Sequence, residues 1–275
     1  MQPLRHFLLA IQFFSRIPVT GRLAAWVGWS PELQRASAAH LPGVGWLVGL
    51  CAAALLALAL WLLPGSPWTP LLAALISTAG TLWLTGGFHE DGLADVADGL
   101  GGFVAPERAL EIMKDSRLGA YGVMTLIMAL LTKVALIALL ISVMQPVWGM
   151  APILMLVCCI HVLSRYAPLV LMHKLPHIGL AASSKTLHVA GKPLDWQGLL
   201  TGALWCLPAL GLLAWFAHYS LVLSLLAAML ITTWLLQRWL RQRLGGITGD
   251  CLGACQQLNE LALLLCSAIY LRHLL

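Results

Sequence analysis

Long apolar runs separated by short polar segments dominate the chain. Runs of spanning length cover about 41–63, 68–88, 119–143, 148–172, 196–216, 219–237 and 251–271. Each is long enough to cross a hydrocarbon core roughly 30 Å thick as a helix of about 20 residues. Lipid offers no hydrogen bonds, so backbone groups must be satisfied inside each segment, and an α-helix does this. The pattern predicts an all-α polytopic membrane protein with about seven transmembrane helices. The stretch from Leu4 to Ile17, ended by Pro18, is shorter and carries Arg5, Gln12 and Arg16. It predicts a short N-terminal interfacial or re-entrant helix. Gln12 interrupts its apolar run and no small-residue cleavage site follows, which argues against a cleaved signal peptide.

Composition agrees with the pattern. Of 275 residues, 60% are hydrophobic and only 10% charged, and mean hydropathy is +0.87, far outside the range of soluble domains. No repeat or linker divides the chain, so 1–275 reads as a single integral membrane domain, with Thr186 to Asp195 as a polar, mobile loop. The basic residues set an orientation. With the N-terminus in the cytoplasm, Arg5, Arg16, Arg22, Arg35, Arg108, Lys114, Arg117, Lys174, Lys185, Lys192, Arg238, Arg241 and Arg243 share the cytoplasmic side, and only Arg272 breaks the bias. An odd number of spans leaves the C-terminus outside. Trp61, Trp68, Trp148, Trp196, Trp215 and Trp239 fall near helix ends, as an aromatic belt requires. The seven cysteines lack CxxC spacing and read as packing residues; Cys251 and Cys255, four apart, leave a metal contact as the lesser alternative.

Against this background, seven of the eleven acidic residues fall between positions 90 and 115. Asp91, Asp95 and Asp98 are spaced i, i+4, i+7, which places three carboxylates on one helix face. Like charges so placed repel and call for a counter-ion, and a hard divalent cation such as Mg²⁺ suits carboxylate oxygens. Glycines at 86, 87, 92, 99, 101 and 102 surround them and permit tight turns and close backbone approach. A second polar segment, Arg108 to Gly122, carries Lys114 and Arg117; the planar fork of Arg matches phosphate oxygens. A third, Arg241 to Gly253, places Thr248 and Asp250 among glycines where a helix begins, so that backbone N–H groups face a phosphate and Asp250 joins a metal.

Each feature has a plainer reading. The Asp triplet could be a solvated face, Lys114 and Arg117 positive-inside anchors, and Asp250 the N-cap of the last helix. His89 is open between metal ligand, base and hydrogen-bonded interfacial histidine. Arg241 and Arg243 read as headgroup contacts. Lys133, Arg165 and Glu260 lie within spans, where burial demands polar partners that the sequence does not identify. Taken together, the carboxylates, the basic pair and the Gly-rich backbone describe phosphate-linked group transfer at a membrane edge. CDP-alcohol phosphotransferases and intramembrane prenyltransferases share this logic. The first class asks for Arg where Asp95 stands, and the second for two comparable Asp motifs where only one exists. A channel would need acidic rings assembled from several subunits.

Four motifs narrow the choice. They are Phe14-Ser15-Arg16-Ile17-Pro18-Val19; Gly86 to Asp95 with Asp98-Gly99; Glu111 to Gly119; and Gly245 to Asp250 with Leu252-Gly253-Ala254. Their order and spacing resemble those of the cobalamin synthase family, the adenosylcobinamide-GDP ribazoletransferases, over nearly the whole chain. Glu90 and Val96 stand where many members carry Leu and Thr or Cys; Glu90 adds a charge with no role evident from sequence.

The resemblance implies a reaction and a setting. α-Ribazole, or its 5′-phosphate, attacks the cobinamide-linked phosphorus of adenosylcobinamide-GDP, releasing GMP and forming adenosylcobalamin or its phosphate. Mg²⁺ is the implied cofactor and the bacterial inner membrane the implied location, with the active site facing the cytoplasm. Membrane lipids are expected partners and nucleic acid is not; homo-oligomerisation is left open. Chemistry then suggests roles. Asp91, Asp95 and Asp98 would hold one or two Mg²⁺, with Asp250 as a further ligand. Lys114 and Arg117 would hold the diphosphate, and His89 or Asp115 would take the ribose hydroxyl proton. Arg16, Gly87, Gly92, Gly246 and Thr248 are the expected substrate-binding positions within the matching motifs.

Overall fold

A computed structural model describes residues 2–178 and 193–272. Among them are thirteen α-helices and no strand. In chain order they are α1 (Gln2–Phe14), α2 (Gly21–Val27), α3 (Pro31–Ser37), α4 (Leu41–Leu62), α5 (Thr69–Thr85), α6 (Phe88–Leu100) and α7 (Pro106–Lys114). There follow α8 (Ala120–Trp148), α9 (Met150–Ser164), α10 (Ala167–Lys174), α11 (Trp196–Phe216), α12 (Tyr219–Leu244) and α13 (Gly249–Leu271).

Six helical segments are long and apolar enough to span a bilayer, and a seventh is reached if α5 and α6 are taken as one bent span. The all-α polytopic expectation therefore holds. The predicted run 68–88 ends earlier, at Thr85, because Gly86 and Gly87 adopt left-handed backbone (φ 71° and 69°), and the chain turns by 88° into α6. Two successive residues with positive φ are a conformation that glycine alone adopts without steric cost. The predicted run 148–172 also divides, at Arg165 and Tyr166, into α9 and α10. Most of the predicted polar loop, Thr186 to Lys192, lies outside the described residues, as does Lys185.

The core lies where α4, α9 and α13 are enclosed by their neighbours. Val44, Val48, Ala52 and Leu56 of α4 are fully buried, one residue per turn on a single face. Small residues bring α4 against α9: a Cβ on Gly45 would stand 2.7 Å from the His161 carbonyl oxygen, and one on Gly49 2.6 Å from that of Cys158. Close backbone approach of this kind is how helices associate in lipid, where apolar burial alone supplies little drive. The outer faces expose Leu, Ile and Trp, and Trp61, Trp68, Trp196 and Trp215 at helix ends are each about two-thirds exposed or more.

Candidate active site

The short helix α6 carries the acidic cluster. Its face is set by periodicity: Asp91, Asp95 and Asp98 lie within about one-sixth of a turn of one another, whereas His89 is roughly 200° away from Asp91. His89 accordingly points into the bundle. It is buried, and neither ring nitrogen has a hydrogen-bond partner. It packs edge-on to Phe88, whose ring also meets Phe13 and Phe14 of α1. The structure thus does not bring His89 to the Asp face.

Helix α13 supplies the fourth carboxylate. Gly92 and Gly253 let α6 and α13 meet backbone to backbone: a Cβ on Gly253 would stand 3.1 Å from the His89 carbonyl oxygen. This contact places Asp250 where it repels the carboxylates of both Asp91 and Asp95, and Asp95 is flanked by Asp250, Asp91 and Asp98. Asp250 is not the cap of its helix. Thr248 is the N-cap, its Oγ1 accepting from the Cys251 N–H at 3.4 Å and donating to Asp250 Oδ2 at 3.2 Å. Gly246 sits in a narrow seam, since its Cβ would stand 2.4 Å from the Pro176 carbonyl oxygen, and the adjacent Ile247 N–H donates to that oxygen at 2.9 Å.

Asp98 differs from the others. Its Oδ2 accepts from the Gly119 N–H and its Oδ1 from the Gly122 N–H, both at 2.8 Å. It satisfies donors at the start of α8 that have no partner within that helix. Each oxygen keeps a second lone pair for another partner.

The basic residues lie on segments to either side of α6 in the chain. Arg16 is tied to the α5–α6 turn, its N–H donating to the Leu84 carbonyl at 2.7 Å and its Nε standing where a Cβ on Gly86 would come within 2.7 Å. Gly87 N-caps α6. Lys114 ends α7 and is exposed. Arg117 is highly exposed and engages Asp115 with a fork, Nε to Oδ1 at 2.9 Å and Nη2 to Oδ2 at 2.5 Å. These hydrogen bonds hold the Asp115 carboxyl down to a pKa of about 2.

Beneath the acidic face, the unassigned buried charges find partners. Lys133 Nζ of α8 lies 2.5 Å from Glu260 Oε1, and His161 Nδ1 lies 3.4 Å from Glu260 Oε2. Arg165 Nη1 donates to the His161 carbonyl at 2.9 Å. Gln256 Nε2 donates to Glu260 at 2.6 Å and to Ser164 at 3.1 Å. Gln257 Nε2 donates to Gln256 at 2.8 Å and to Glu90 Oε1 at 2.9 Å. His161, Ser164, Gln256 and Gln257 are not among the residues that the sequence motifs mark. The signal was their recurrence beside charged residues at helical spacing, His161 with Arg165 and Gln256 with Glu260, inside otherwise apolar runs.

Among the described residues, no three His, Cys, Asp or Glu side chains converge into a ready-made metal cage. The donor set nevertheless fits Mg²⁺. This ion binds through one or two carboxylates and takes its remaining oxygens from water and phosphate; Asp95 lies within electrostatic reach of Asp91, Asp98 and Asp250, with no basic side chain bonded to Asp91, Asp95 or Asp250 among the contacts described.

Fold and site together define a multi-pass membrane protein with an acidic, glycine-packed site at the edge of its bundle. The model of the cobalamin-5-phosphate synthase family matches residues 6–268, and the chain belongs to that family, making it a transferase of cobalamin biosynthesis. It is 53% identical to the adenosylcobinamide-GDP ribazoletransferase of Polaromonas naphthalenivorans, over 98% of this chain and 100% of the relative. It is 50% identical to that of Albidiferax ferrireducens (98% and 99% covered) and 40% identical to that of Vibrio cholerae (97% and 94%). No solved structure matches the chain.

Proposed function

We propose that the protein joins α-ribazole, or its 5′-phosphate, to adenosylcobinamide-GDP with release of GMP, at a Mg²⁺ site on the cytoplasmic side of the inner membrane. The observation that carries the site assignment is the juxtaposition of Asp91 and Asp95 with Asp250, reached across the Gly92 contact. The full-length identity to ribazoletransferases supports the reaction, and the bias of Lys and Arg supports the orientation.

Asp91, Asp95 and Asp250 would hold the metal, with Asp98 contributing a remaining lone pair while it anchors α8. A divalent ion held there would supply charge neutralisation for the diphosphate. Arg117 binds the diphosphate from the α7–α8 loop through the guanidinium N–H groups that its fork with Asp115 does not use. Lys114 adds charge at the end of α7, and Arg16 adds charge beside Gly86. Gly92 and Gly246 would serve the site by close packing of its elements, while Gly87 and Thr248 cap the helices that carry the aspartates. Asp115, ionised down to about pH 2, is a poor proton acceptor near neutrality and serves to hold Arg117 in place.

Product analysis tests the reaction. Purified protein in lipid nanodiscs, given adenosylcobinamide-GDP, α-ribazole and Mg²⁺, should release GMP and form the cobalamin. Release of CMP from a CDP-alcohol, or of pyrophosphate from a prenyl diphosphate, would place it with the rival chemistries.

A further inference from the structure

The roll of α6 about its own axis decides whether Asp91 and Asp95 face Asp250, and its buried Leu93, Val96 and Leu100 set that roll only as closely as apolar packing does. At its start it hangs from two left-handed glycines, a joint with little torsional preference. Along its length it meets α13 backbone to backbone through Gly92 and Gly253. Directional bonds from other elements fix it at three points among the hydrogen bonds described; one of them, from Arg243 Nη1 to the Leu100 carbonyl at 3.2 Å, engages only the last backbone group of the helix. At the far end Asp98 is held by the Gly119 and Gly122 N–H groups. At the near end Glu90 Oε1 accepts from Gln257 at 2.9 Å. Asp91 and Asp95 lie between Glu90 and Asp98.

We propose that Gln257 is a positioning residue for this enzyme: through Glu90 it fixes the roll of α6 and so holds Asp91 and Asp95 against Asp250. Glu90 lies about 100° from Asp91 on the helix and is buried, so it works from outside the carboxylate face. Its second oxygen has no partner, which leaves the Gln257 amide as its side-chain anchor. Gln257 is rigid in turn. Its Nε2 is shared with Gln256, which is locked through Glu260 to Lys133. Groups that orient a metal site from behind its ligands typically account for 10–100-fold in affinity.

This inference rests on the acidic face being a divalent-cation site, and the test separates the two ideas. Mn²⁺ binding is followed by electron paramagnetic resonance on the full chain in nanodiscs, without substrate. Wild-type protein should bind Mn²⁺, and Asp95→Asn should not; a wild type that binds none overturns the metal reading, and the positioning role with it. Given wild-type binding, Gln257→Leu should weaken Mn²⁺ affinity about tenfold. Glu90→Gln keeps a hydrogen-bonding partner for Gln257 and should retain affinity within about twofold of wild type. Because Gln257→Leu strands a buried carboxylate, the Glu90→Leu/Gln257→Leu pair serves as its folding control. With neither polar group left, it should melt near the wild-type temperature and still bind Mn²⁺ about tenfold more weakly. Full affinity in the folded double variant would overturn the proposal.

Discussion

Gly92 of α6 faces the backbone of Asp250 in α13 so closely that a Cβ on Gly92 would stand 2.8 Å from the Asp250 carbonyl oxygen and 3.0 Å from its Cα. The two halves of the acidic site, about 160 positions apart in the chain, meet because one residue has no side chain. Gly92→Ala should therefore push the helices apart. Overpacking of this kind costs about 1–3 kcal/mol, so melting temperature and GMP release should both fall. A variant unchanged in both would show that the seam yields freely.

The four aspartates should divide by stability. Asp91→Asn, Asp95→Asn and Asp250→Asn each remove a charge from a crowded acidic site, and should leave melting unchanged or slightly raised while turnover collapses. Asp98 accepts two backbone N–H groups, so an amide there turns an NH₂ toward one of those donors. Asp98→Asn should lose about 1–3 kcal/mol of stability as well as activity. Thermal melts of the four variants check the division, and equal losses across all four would remove the distinction.

The acidic face was legible from spacing alone because a 3.6-residue period carries 91, 95 and 98 to one side of any helix that contains them. Span positions followed equally directly from run length. The break at Gly86–Gly87 was less legible, since Gly-Gly permits a turn without dictating an 88° one. The partners of Lys133, Arg165 and Glu260 could not be read at all. Lys133 and Glu260 are separated by more than a hundred residues, and helix order in space decides which buried charges meet. The capping of α13 by Thr248 rather than Asp250 turned on a two-residue difference in where the helix starts.

The buried ion pair gives a prediction on stability. Lys133 and Glu260 are both almost wholly buried, and breaking such a pair leaves a charge in a medium that cannot solvate it. Lys133→Met should destabilise the protein by about 3–5 kcal/mol, and Lys133→Met/Glu260→Met should recover most of that loss. Denaturation in mild detergent measures both, and a double variant no better than the single one would show that the two side chains do not act as a pair.

Asp115 gives a prediction on pH. Its folded pKa, about 2, lies below the ordinary 3.8, so its pairing with Arg117 is fully present above about pH 4 and is lost as pH falls toward 2. Nothing in that pair titrates between about pH 5 and 8. Asp115→Asn should therefore leave the acid limb of the pH–rate profile in place and raise KM severalfold through a loosened Arg117. Disappearance of the acid limb would instead make Asp115 the proton acceptor.

Asp95, flanked by Asp91 and Asp250, is proposed to serve a Mg²⁺-dependent release of GMP. This role is tested most directly by following GMP formation from adenosylcobinamide-GDP and α-ribazole across a Mg²⁺ titration, in wild-type and Asp95→Asn protein reconstituted side by side. The wild type should show saturable Mg²⁺ dependence and the variant a loss of at least about a hundredfold in turnover, with both proteins equally folded. GMP release that needs no divalent ion, or that survives intact in Asp95→Asn, would contradict it.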